Sequence, residues 1–408
     1  MAEVSMVELD PTGRNVHGEV ARLRENGPAA LVLLPGEVRA WSVTRPELIK
    51  RLAGDPRVSR DPRRHWSAMA TVPPDWPLNA FVQLKSLITA YGEDHRRLRK
   101  PLSGTFGRRR LELLRPRIEE IVDRLIDDMD ADAGTPICLR ERFAAQVPAE
   151  VMWDLFGVPD SLRARFSSGL PRFTNTAATP DEAGAAFNEM VSCATELLAV
   201  KRVFPGQDLA TDLVEGQASD QSMTDEVLIH TLITMLGAGI DTTSNHIANA
   251  ARALAVDPVQ RRLAVSGEVG WDDVVEESLR RDGPVMHLPL RFAVEDFDLE
   301  GVTIKQGDAI LLAFGAPGRD PSWHVDAHEF DLTRSEKDHL AFGYGVHYCV
   351  GAPLARLEGA IALERLFTCF PDLELAVPPD ELIPHTSFIG CGFQSLPVNL
   401  RPRVPAER

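Results

Sequence analysis

The chain has 408 residues, 44% of them hydrophobic and 25% charged, with a formal net charge of −16. That composition suits a globular protein, and the acidic balance excludes nucleic acid as a partner. No run approaches the ~20 apolar residues that span a bilayer, and the N-terminus lacks a basic-then-apolar signal pattern, so no membrane contact and a cytoplasmic location are expected.

In chain order, residues 16–25 read as a short helix. Residues 31–34 and 40–44 then read as strands turned at Pro35-Gly36. From 57 to 78 the chain is rich in Pro, Arg and Trp without a period, and so long an irregular stretch is usually functional. Between His95 and Arg117 stand nine basic residues (Arg96, Arg97, Arg99, Lys100, Arg108, Arg109, Arg110, Arg115, Arg117) and one acid, Glu112. On so acidic a chain, such a run is either a solvated helix face or the footprint of an acidic partner.

Helical patterns follow at 112–129, 139–156, 181–201, 224–255 and 271–281. The longest, 224–255, would extend ~48 Å, and Thr224, Asp225 and Glu226 suit its start. Strand-like segments lie at 288–294, 301–304, 309–313 and 373–377, with a helical stretch over 352–370. The 5 cysteines (Cys138, Cys193, Cys349, Cys369, Cys391) are scattered, odd in number and without zinc-type spacing, and read as reduced thiols. With no repeat or linker, 1–408 reads as a single domain. It is mainly α with a small β-rich part at 30–45, 288–313 and 373–400.

Four constellations carry chemistry. The segment Phe342-Gly343-Tyr344-Gly345-Val346-His347-Tyr348-Cys349-Val350-Gly351 presents a sulfur on a glycine-rich loop just ahead of a helix. The helix end and its N–H groups favour the thiolate, a ready metal ligand. A lone cysteine is more often a buried core thiol, but the surrounding pattern outweighs that. Within the long helix, Ala238-Gly239-Ile240-Asp241-Thr242-Thr243 puts a glycine, an acid and an alcohol together. Gly239 costs roughly 1 kcal/mol there relative to alanine, and the Thr242 hydroxyl can bond back to the Ala238 carbonyl and bend the helix. Glu277 and Arg280 are opposite charges three apart. His95 and Arg99, four apart, share a helical face, and Arg291 follows Pro289-Leu290 on a strand.

The ten-residue loop resembles the haem-binding loop of the cytochrome P450 family, F-G-x-G-x-H-x-C-x-G. The resemblance implies the P450 fold and a haem b whose iron takes Cys349 as its thiolate ligand, a ligand that favours O–O cleavage. Ala238-Gly239-Ile240-Asp241-Thr242 is similar to the family's acid–alcohol motif, with Asp241 relaying protons and Thr242 as the hydroxyl at the bound oxygen. Glu277 and Arg280 match its E-x-x-R, with Arg334 as a third, folding partner. By the same resemblance, His95, Arg99, Arg291 and His347 face the haem propionates. Ala238, Phe342, Gly343 and Gly351 lie against the haem, and substrate contacts fall in 73–89, 170–175, 235–242, 285–290 and 388–389.

The implied reaction inserts one atom of O2 into a C–H bond of a bulky hydrophobic small molecule, of macrolide, steroid or cyclic-peptide type, in secondary metabolism. Oxidative C–C or C–N coupling is the alternative within the family, and a haem sensor the one outside it. The intact Asp241–Thr242 pair argues against a sensor and for O2 over peroxide. A Rossmann dehydrogenase fails because no Gly-x-Gly here has a third glycine three residues on. A zinc site at His347 and Cys349 lacks its other ligands. Electrons would come from NAD(P)H through a separate ferredoxin reductase and ferredoxin, the basic run providing the docking face for a monomeric enzyme.

Overall fold

Thr224 opens the longest helix, Asp225–Val256, its side chain accepting a hydrogen bond from the Val227 N–H while Asp225 and Glu226 fill the first turn. Acids there are favoured by the helix dipole, and the cap fixes where the helix begins. The computed structural model describes residues 6–72, 76–131, 134–217, 220 and 222–401, the side chains of 80, 103–105, 108 and 109 excepted. Arg108 and Arg109 of the basic run, and the start of the expected 73–89 wall, therefore lie outside the described residues.

The long helix is the axis of the molecule. Leu228, Leu232, Leu236, Ile247, Ala251 and Leu254 along it are buried, and it packs against Gln146–Phe156, Pro180–Val203, Trp271–Asp282 and Ala352–Cys369. By length and hydropathy it could cross a bilayer, contrary to the sequence reading, yet 61% of its most apolar window is buried inside the protein. Nor is it broken at Gly239: it is one helix of 32 residues. The glycine leaves a notch that Met152 fills, since a Cβ on Gly239 would stand 2.5 Å from the Met152 Cε. Its missing side chain thus serves packing between helices.

Helices cover most of the rest. Gly92–Thr105 was expected only as the face shared by His95 and Arg99, and Asp160–Phe173, Leu209–Gln217 and Pro258–Val265 were not expected. The first two are polar on average and carry Pro101 and Pro171, which hide the period. A six-stranded sheet runs in the order Val7–Glu8, Ala30–Leu34, Val38–Val43, Ala309–Leu312, Leu288–Ala293, Val58–Ser59. In a separate small sheet the strand Pro397–Asn399 lies between Glu374–Leu375 and Ile137–Cys138 and pairs antiparallel with both.

Two local features aim side chains at one space. A register shift between Leu288 and Arg291 breaks the alternation of their strand. Residues three apart then face the same way, as a bulge allows. Gly345, at φ 73°, lets the 342–351 loop lie on the helix Pro46–Gly54, because a Cβ there would meet the Ala53 carbonyl oxygen at 2.6 Å.

Behind this loop, Glu277 and Arg280 form a fully buried bidentate pair, with Nε and Nη2 at 2.7 Å from the two carboxylate oxygens. Arg280 also donates to the carbonyls of Ala327 at 2.9 Å and Glu329 at 2.6 Å. Arg334 joins at 3.8 Å from Glu277 and donates to the Val325 and Asp326 carbonyls. The pair stitches the helix Trp271–Asp282 to the 318–334 meander, which has little regular structure of its own. Arg280→Met should therefore cost ~3–5 kcal/mol, the loss typical of breaking a buried pair, read as a lowered urea midpoint. A change within ~0.5 kcal/mol, as at an ordinary surface site, would contradict the assignment.

Candidate active site

Where the long helix passes the 342–351 loop, a cavity opens between them. Cys349, Phe342, Gly343, His347 and Gly351 line it from the loop, Ala238, Gly239 and Thr242 from the long helix, and Arg99 and Arg291 from the sides.

Cys349 lies deep in the body, but its side chain is accessible from this cavity. Its N–H donates to the Phe342 carbonyl at 2.9 Å, which closes the loop. Burial pushes the thiol up, while the Gly351 and Ala352 N–H groups at the start of Ala352–Cys369, with the charges of Arg99 and Arg356, pull it down. A cation bound at the sulfur would complete that shift, since metal coordination deprotonates a thiol.

At one end of the cavity, basic groups crowd together. The His95 and His347 rings pack against each other at a tilt of 49°, with centroids 4.2 Å apart. Arg99 donates to the Tyr348 carbonyl at 2.7 Å. Arg291 stands over the Phe314 ring at 5.1 Å, and its Nη1 is buried without a hydrogen-bond partner among the described residues. So is the Nε2 of His95. Burial and neighbouring guanidinium groups hold His95 down to about 4, and His347 lower still. Burial alone brings Arg291 down to about 10.

One member of this cluster was not anticipated. Arg60 is buried, lines the cavity and donates to the Pro289 carbonyl at 2.9 Å. Burial, then the charge of Arg291, lowers its pKa well below the usual range. In sequence it is indistinguishable from Arg57, Arg63 and Arg64 around it, which pair with Asp55, Asp61 and Asp94 respectively. Glu358 was also missed: buried on the cavity wall, it is pushed by desolvation up to about 8 and is neutral at pH 7. It therefore does not compensate the cations. The charges that act on His347 come from Arg60, His95, Arg291 and Arg99, all basic. A flat group with a metal at its centre and two carboxylates at one edge fits this donor set, and the haem implied by the sequence has that form.

Across from Cys349, the Thr242 hydroxyl donates to the Ala238 carbonyl at 2.6 Å, the back-bond anticipated from sequence. Asp241 does not line the cavity. Its carboxylate turns toward Arg140 at 3.7 Å and Asn245 at 3.5 Å, while Arg140 donates to the Asn245 amide oxygen at 2.6 Å. The outer wall is apolar, built by Leu87, Ile88, Met235, Val285 and Leu288. Residues 170–175 and 388–389, expected there, do not line it: Phe173 packs on Phe81 and Phe388 on His287.

The basic run splits in the structure. Arg97 bonds to Asp94 and reaches Asp220, Arg115 pairs with Glu119, and Arg117 pairs with Asp154. Arg96 and Lys100, four apart and exposed on Gly92–Thr105, have no acidic partner among the described residues.

Residues 271–394 match the family described as Cytochrome P450. Over 402 residues, 98% of each chain, the protein is 44% identical to a 2-hydroxy-5-methyl-1-naphthoate 7-hydroxylase of Streptomyces carzinostaticus. It is 38% identical to the cytochrome P450 monooxygenase PikC of Streptomyces venezuelae, covering 95% of this chain and 92% of that one. The solved structure of CYP154A1 from Streptomyces coelicolor A3(2) superposes with a TM-score of 0.93 at 44% identity, over 97% of this chain and 100% of that one. A sulfur-bearing loop facing a long helix across one cavity, in a chain matched end to end by such enzymes, has one reading: the protein belongs to the cytochrome P450 family and is a bacterial P450 monooxygenase.

Proposed function

We propose that this enzyme holds its haem iron through Cys349 and inserts one oxygen atom from O2 into a C–H bond of a bulky, largely hydrophobic molecule of secondary metabolism. The observation that carries this reading is the cluster of Arg60, His95, Arg99, Arg291 and His347 at the edge of the cavity into which Cys349 opens. The buried guanidinium groups of Arg60 and Arg291, which have no acidic partner among the described residues, ask for an anionic ligand, and the two propionates meet that need, with the neutral His95 and His347 rings beside them as hydrogen-bonding groups. Bound haem supplies the binding and activation of O2, chemistry that no side chain provides.

The chain's own residues do the rest. The Gly351 and Ala352 N–H groups support the ionised sulfur. The apolar outer wall excludes water and packs against the hydrophobic body of a substrate. Thr242 spends its proton on Ala238, so its oxygen is left as an acceptor toward the cavity. Asp241, one residue back, is the proton source in this reading, and it reaches Thr242 only by leaving Arg140. A fused-ring aromatic substrate is favoured because the relative matching 98% of the chain is a naphthoate hydroxylase.

The enzyme acts as a cytoplasmic, single-domain monomer and receives electrons from NAD(P)H by way of a ferredoxin reductase and a ferredoxin. Arg96 and Lys100 form the docking edge beside the exposed Tyr344, Val346 and Tyr348 of the thiol loop. Opposite charge there speeds encounter, most at low salt.

Cys349→Ala should abolish the red-shifted Soret band of the reduced carbon monoxide complex while leaving the fold measurable by circular dichroism; a surviving band removes the ligand assignment. Reversing Arg96 and Lys100 to Glu should slow ferredoxin-driven reduction on the order of 10-fold or more at low salt, with the deficit shrinking as salt rises. An unchanged, salt-independent rate would place docking elsewhere.

A further inference from the structure

Arg356 and Glu276 form an ion pair beside the thiol loop that none of the steps above uses. Arg356 leaves the helix Ala352–Cys369 and lays its guanidinium over the Phe342 ring, 4.5 Å from the centroid. Phe342 lines the cavity together with Cys349, and its carbonyl accepts the Cys349 N–H at 2.9 Å, so the two residues are tied through the backbone. On its other side Arg356 grips both carboxylate oxygens of Glu276, with Nη2 at 3.1 Å, and reaches the Tyr348 hydroxyl at 3.4 Å. The His339 Nε2 meets Glu276 at 3.1 Å. Although burial opposes it, contacts from His339 and Arg356 hold the Glu276 carboxyl down to about 2, so it is ionised at neutral pH.

This is a built arrangement. A bidentate fork presents a fixed charge in one orientation, and the ring beneath it favours a cation on its face. Both side chains are about one-third exposed, at 34% and 31%. The pair is therefore rigid without being sealed from solvent. Seen from Cys349 it is a dipole with its positive end nearer, because Arg356 sits on Phe342 and Glu276 lies beyond.

We propose that Arg356 sets the reduction potential of the iron held by Cys349, its charge favouring the reduced state and Glu276 trimming that effect. The proposal rests on the reading of Cys349 as the axial ligand. Reduction adds one negative charge at the metal, so a fixed cation nearby favours it and a fixed anion opposes it. Arg356 touches neither substrate nor haem iron and is a positioning residue.

The two partners make opposite predictions, which a merely structural pair would not. In the haem-loaded full-length protein, Arg356→Met should shift the ferric/ferrous midpoint to a more negative value. Glu276→Gln, which leaves the cation uncompensated, should shift it to a more positive one. Arg356→Lys keeps the charge and should fall between wild type and Arg356→Met. Spectroelectrochemical titration reads all three, after each variant has been checked for the red-shifted Soret band of its reduced carbon monoxide complex. Opposite shifts support the proposal. Normal Soret bands with unmoved potentials, or shifts of the same sign at both residues, overturn it. Absence of the band in the wild-type protein would instead count against the ligand assignment beneath it.

Discussion

Buried positive charge around one cavity is the constraint on which this structure depends. Arg60 and Arg291 are each 2% exposed. An arginine has no practical escape by losing its proton, and an uncompensated buried charge costs several kcal/mol. The neutral Glu358 on the same wall offers no relief. In the proposed reading, the haem propionates are the missing counter-charges, so cofactor binding and folding are linked: ligand binding to the native state alone stabilises it. The same logic applies at Cys349, where burial opposes the thiolate and a bound metal favours it.

The scaffold keeps these groups converged from distant parts of the chain. Arg60 comes from the segment after the strand Val58–Ser59, His95 and Arg99 from Gly92–Thr105, and Arg291 from a bulged strand. The Glu277–Arg280–Arg334 cluster fixes the meander that leads into the thiol loop. Gly345 lets that loop settle on a helix backbone. Met152, seated in the Gly239 notch, ties Gln146–Phe156 to the long helix at the cavity wall.

What could be read from the sequence follows from how local each feature is. The thiol loop was legible because its glycines, ring and sulfur are consecutive. The Thr242 back-bond was legible because it spans one helical turn. The long helix announced itself through its cap and its apolar face. Arg60 was not legible, since only tertiary packing separates it from three neighbouring arginines. Nor was the orientation of Asp241, which is decided by Arg140 from about a hundred residues earlier in the chain. The basic run was visible as composition, but Asp220, Glu119 and Asp154 decide which of its members stay free. The helix Gly92–Thr105, polar and carrying Pro101, had no period to find.

The account stands on sulfur ligation at Cys349. Iron-edge X-ray absorption of the haem-loaded ferric protein tests it directly, because sulfur and nitrogen scatter differently in the first coordination shell. The account predicts one sulfur neighbour in the wild type that disappears in Cys349→Ser. A first shell of nitrogen and oxygen alone in the wild type would contradict it.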